Sequence, residues 1–201
     1  MFSSAFNKYD QTVWQQFSLE NDGKFIVGQF DKLDAVAIIY RSHNVIFDRY
    51  ILYQVVGERS FDTEFTRIRL ECKTPNDLRF RLTTQSIVDA ISKLFAAQDV
   101  QIGDRDFDRR FLVKGNDEFT IQRIFSDHNL RRLMLEQSDV VLHLLDSEGV
   151  FNEPIGKGNA MLYFISEAVV RKKEQLDSLL KMFKTLVDQL TKTNSIKPLK
   201  N

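Results

Sequence analysis

Arg67 and Arg69 alternate along one β-like run, and Arg79 and Arg81 alternate along the next. Side chains in a strand repeat every two residues, so each pair stands on one face of its strand. If the two runs pair as a hairpin, four guanidiniums share one surface. Guanidinium forks bind carboxylates and phosphates through paired hydrogen bonds. The expectation is an anionic contact surface built from Arg67, Arg69, Arg79 and Arg81. The plainer alternative is a solvated sheet face neutralised by Glu64, Glu71 and Asp77.

Other chemistry-bearing patterns fall short of a site. Asp104-Arg105-Asp106-Phe107-Asp108 places carboxylates at alternate positions, as a calcium loop begins. Arg109 then stands where such a loop needs glycine, and Gly115 where it needs a bidentate glutamate. The segment reads instead as a turn into a strand, with Phe107 and Phe111 anchoring it to the core. Gly156-Lys157-Gly158 lacks the full phosphate-loop spacing and reads as a loop between two strands. His43, His128 and His143 lie far apart in sequence, with no Cys or Glu at ligand spacing, so no metal site is expected. No G-x-S-x-G element marks a nucleophile. Cys72, the only cysteine, reads as a small packed residue; no intrachain disulfide can form. No catalytic residues and no cofactor are expected.

Composition narrows the class further. Lys plus Arg equals Asp plus Glu at 28 each among 201 residues, which removes the basic excess of a nonspecific nucleic-acid binder. No basic region followed by an apolar stretch opens the chain, and no run approaches a membrane span. A cytoplasmic protein is expected. Phe occurs 17 times, against a single Trp, which points to a core built from aromatic wedges.

The elements that must position these residues are legible in outline. Val13, Trp14 and Phe17 fall at helical spacing, with Asp10 as a cap and Asn21-Asp22-Gly23 as a stop. Strands are expected over 25–30, 35–40, 45–56, 65–72 and 78–84, connected as an antiparallel meander. A polar loop is expected over 57–63, and Thr74-Pro75-Asn76-Asp77 should close a hairpin. Ser86 should cap a helix over 87–97. Short strands are expected over 100–102 and 111–114. Asn116 should cap a helix to Phe125, and Asp127 a helix to Glu136. Two more strands are expected over 140–145 and 160–165.

The last helix is expected from Ser166 to about Thr191. From Leu176 onward its apolar residues share a stripe roughly 120° wide, opposite Lys173, Asp177, Lys181, Lys184 and Asp188. Docking on the domain's own sheet uses up that stripe.

Thr66-Arg67 and the run Phe107-Asp108-Arg109-Arg110-Phe111-Leu112-Val113 resemble a group of uncharacterised bacterial domains. In that group a strand-rich half leads to an F-D-x-x-F-x-V segment, short helices, two strands and a long helix. The resemblance implies a bacterial cytosolic protein with an α+β fold, and it carries no site residues.

The fold class expected is α+β: a predominantly antiparallel, curved sheet with a long C-terminal helix packed on it. One domain over 1–201 is expected, strand-rich over 1–85, helix-rich over 86–192, with a frayed tail over 193–201. The leading functional expectation is a non-catalytic intracellular binding or interaction module, monomeric or homodimeric. Its partner would be a protein or a small anionic ligand met through the arginine-bearing hairpin. A carrier of a small apolar ligand held between sheet and C-terminal helix is the second reading. An enzyme with dispersed catalytic residues is the third.

Overall fold

The computed structural model describes residues 8–28, 34–56, 59–85, 98–138, 140–146, 155–156, 158–167 and 170–199. Three consecutive strands, β2 (Ala35–Tyr40), β3 (His43–Val56) and β4 (Arg59–Cys72), form an antiparallel meander. The β2–β3 connection is two residues, Arg41 and Ser42, both at positive φ (47° and 62°). That backbone matches the twist of paired strands. β1 (Lys24–Ile26) adds to the outer side of β2. The expected polar loop over 57–63 is mostly strand: β4 begins at Arg59, and its polar residues pair with β3 through the backbone.

The remaining strands are β5 (Phe80–Thr84), β6 (Gln98–Asp99), β7 (Phe111–Gly115), β8 (Val141–Leu145) and β9 (Ala160–Glu167). Among the described residues they complete a nine-stranded sheet in the order β1-β2-β3-β4-β9-β8-β5-β7-β6, every pair antiparallel. The meander therefore stops at β4. The Thr74–Asp77 turn forms, with Asp77 N donating to Thr74 O at 3.1 Å, but it does not close a hairpin. β9 and β8 lie between β4 and β5 and take up the backbone groups of both. The turn's local chemistry carries no information about those late strands.

Helices cover one face. α1 (Lys8–Glu20) buries Trp14 and Phe17, and Asp10, expected to precede the helix, lies within its range. α2 (Arg105–Arg110) forms where only a turn was expected, because Asp104 caps it by accepting from Asp106 N and Phe107 N. Phe107 and Phe111 are both buried, with ring centroids 4.8 Å apart. α3 (Glu118–Phe125) is capped by Asp117, not Asn116. The Asn116 side chain instead accepts from Arg79 N and donates to Asp77 O, both at 2.8 Å. α4 (His128–Leu135) is capped by Asp127, as expected.

α5 (Lys173–Lys192) starts seven residues later than expected, because Ser166 belongs to β9, opposite Thr66. Its buried residues, among them Leu176, Phe183, Leu186 and Leu190, join one hydrophobic cluster with Phe47, Ile68, Leu82, Leu142 and Phe164 of the sheet. The tail does not fray through Leu199. Ser195 and Ile196 are buried, and Lys197 exchanges backbone hydrogen bonds with Lys73 at 2.9 Å. The helix expected over 87–97 lies outside the described residues, as does Lys157. No described helix is long and apolar enough to cross a membrane.

Candidate functional site

The sheet's second face carries the polar groups that sequence reading singled out. Strand pairing sets them in a row: Ile46, Arg69, Tyr163, His143, Arg81 and Lys114 are successive cross-strand partners on β3, β4, β9, β8, β5 and β7. The adjacent row begins Asp48, Arg67, Ile165 and Val141. Directly opposed side chains interact across such rows.

Arg67 and Arg69 converge on one carboxylate. Arg67 Nε and Nη2 donate to Asp48 Oδ1 and Oδ2, both at 2.7 Å, and Arg69 Nη2 donates to Oδ2 at 2.7 Å. The Arg67 guanidinium also lies 4.8 Å from the Tyr50 ring centroid. Burial works against the Arg67 charge, but the hydrogen bonds and charge of Asp48 outweigh it and raise its pKa. Arg81 shares the row with Arg69, three strand spacings away, or about 14 Å. Arg79 does not join them. Its Nη1 donates to Thr74 Oγ1 at 2.7 Å and to Leu78 O at 2.8 Å, fastening the turn. Three of the four arginines thus share a face, through β9 and β8 and not through a hairpin.

The middle of the row is closed. His143 and Tyr163 are fully buried, with ring centroids 5.5 Å apart in an edge arrangement. Among the described residues neither ring nitrogen of His143 has a hydrogen-bond partner. Burial, then the neighbouring Arg81 charge, pushes the His143 pKa down to about 3, so the ring is neutral. The surrounding apolar residues on this face are Val141, Met161 and Ile165, with Phe65 and Ile155 against them.

The row opens at its β3–β4–β9 end. There a cavity of about 360 Å³ is lined by Ser42, His43, Asn44, Ile46, Arg69, Glu71, Met161 and Leu199. The two-residue turn supplies Ser42, the start of β3 supplies His43, Asn44 and Ile46, β4 supplies Arg69 and Glu71, and the docked tail supplies Leu199. Glu71 Oε1 accepts from Asn159 Nδ2. His43 is 2% exposed, its buried Nδ1 has no partner among the described residues, and burial lowers its pKa. A second cavity of about 420 Å³ runs along α5 between Asn21, Tyr40, Asp177, Lys181, Lys184 and Asp188.

Other sequence candidates are spent on structure. Asp108 accepts from Ile102 N and Gly103 N at 2.9 Å, Asp104 caps α2 and meets Arg131 Nε at 2.9 Å, and Asp106 pairs with Arg109. Among the described residues no group of His, Cys, Asp and Glu is arranged to hold a metal ion. Cys72 is buried, and burial pushes its thiol up to about 12. Sequence reading missed Asp48, Tyr163 and the cavity residues Ser42, Asn44 and Leu199. Only the alternation of Asp48 with Ile46 and Tyr50 on one face of β3 hinted at the first. No family model matches the chain, and no significant match is found among curated proteins or solved structures.

Proposed function

We propose that this chain is a non-catalytic binding module that holds a small molecule bearing an anionic group in the cavity at the β3–β4–β9 end of the second face. The observation that carries the reading is Arg69. Its side chain lines a cavity of about 360 Å³ while Asp48 fixes its guanidinium at 2.7 Å. Ligand cavities of a few hundred Å³ with a few placed polar groups are the usual form of a small-molecule site. A pre-oriented guanidinium loses little further freedom on meeting a carboxylate or phosphate oxygen. The cavity also offers Ser42 and Asn44 for hydrogen bonds, and Ile46, Met161 and Leu199 for apolar contact.

The test is thermal unfolding of wild type and Arg69→Gln in the presence of short-chain carboxylates and phosphate monoesters. The reading expects at least one of these to raise the wild-type midpoint in a saturable way and to have little effect on the variant. An absence of response from every compound, or an equal response from the variant, would refute it.

A further inference from the structure

We infer that the ligand of this cavity is a small zwitterion, of the class of a free α-amino acid with an aliphatic side chain. The inference rests on the cavity reading above and names its ligand. Arg69 and Glu71 both line the cavity. They stand two residues apart on β4, so their side chains leave the same face with Cα atoms about 6.6 Å apart. Opposite charges so close ordinarily close on each other. Here they do not: Asp48 holds Arg69, and Asn159 holds Glu71. Separate partners keep the cation and the carboxylate apart on one wall.

A ligand with only a negative charge would meet Arg69 but bring its charge towards Glu71. A ligand with only a positive charge would have the converse conflict. A zwitterion satisfies both, its carboxylate on the Arg69 guanidinium and its ammonium on Glu71. Charge-assisted hydrogen bonds of both signs then form together. Ile46, Met161 and Leu199 form the apolar part of the wall, where a modest hydrocarbon side chain is sheltered. Ser42 and Asn44 supply neutral hydrogen-bonding groups.

Calorimetric titration decides the matter. The common L-α-amino acids are titrated singly into the full chain, and the strongest binder is then compared with its deamino carboxylate and its decarboxy amine. The expected result is a Kd at least about tenfold lower for the amino acid than for either analogue, the loss of one charge-assisted contact. Glu71→Gln should weaken the amino acid by a similar factor and tighten the deamino carboxylate, which no longer meets a like charge. Arg69→Gln should weaken both. If the deamino carboxylate binds wild type as tightly as its amino acid, the zwitterion inference falls while the anion reading stands. If phosphate monoesters or simple carboxylates bind and no amino acid does, it falls in the same way. If nothing binds, both fall together.

Discussion

Asp48 and Arg67 face each other directly across β3 and β4, joined by two hydrogen bonds of 2.7 Å, with side chains only 8% and 12% exposed. The carboxylate also accepts from Arg69, so one buried acid orients two arginines on the face that leads to the cavity.

Removing Arg67 leaves Asp48 buried beside a single remaining guanidinium. Breaking a buried, hydrogen-bonded pair from one side costs about 3–5 kcal/mol, much of it the penalty of the stranded charge. Arg67→Ala should lie towards the lower end, because Arg69 still holds Oδ2. Urea unfolding measures it. A loss below about 1 kcal/mol would place the pair in the class of weak surface bridges.

His143 should set part of the acid limit of stability. Its folded pKa is about 3, against an ordinary value of 6.5, because burial and then the Arg81 charge disfavour the cationic ring. Between those values the unfolded chain binds a proton that the folded chain refuses. The unfolded state therefore gains as pH falls: stability is full above about pH 6.5 and declines towards pH 3. His43, also depressed by burial, acts in the same direction. His143→Phe removes the titration and two buried nitrogens that have no partner among the described residues, so its stability at pH 7 should be equal or higher. Denaturant melts across this pH range should show a shallower acid decline in the variant. Superimposable pH profiles would rule the assignment out.

Gly115 ends β7 where α3 closes against the sheet. A Cβ there would collide with Ile121 Cδ1 and approach Arg79 O at 2.9 Å. Arg79 is held by Asn116 through its backbone and by Thr74 through its side chain, so that carbonyl has little room to retreat. Gly115→Ala should cost about 1–3 kcal/mol, the range for overpacking a filled site. Thermal unfolding checks it, and an unchanged midpoint would show that α3 moves freely.

Local patterns in the sequence were sufficient for many of the elements and insufficient for their order. The stripe of α5, the Asp127 cap and the long β3 run follow from spacing alone. The insertion of β9 and β8 between β4 and β5 depends on pairings between residues some 60 to 90 positions apart, such as Arg81 with His143 and Glu71 with Met161. Nothing in the Thr74–Asp77 turn distinguishes a hairpin from a crossover. The arginine alternation correctly put Arg67 and Arg69 on one face, but their acid, Asp48, lies one strand earlier. Arg79 shares the parity of Arg81 yet precedes β5, where its side chain turns back to Thr74. The cavity was beyond reach because it joins a hairpin turn, two strand ends and the tail, which meet only in three dimensions.

The central claim is that a small anionic or zwitterionic ligand occupies the cavity beside Arg69. Backbone amide chemical shifts, followed by NMR as short-chain carboxylates and L-α-amino acids are titrated into the uniformly labelled protein, test it most directly. The account predicts saturable shifts at Ser42, His43, Asn44, Arg69, Glu71, Met161 and Leu199, and their loss in Arg69→Gln. Shifts confined to the charged groove at Tyr40, Lys184 and Asp188, or none at all, would contradict it.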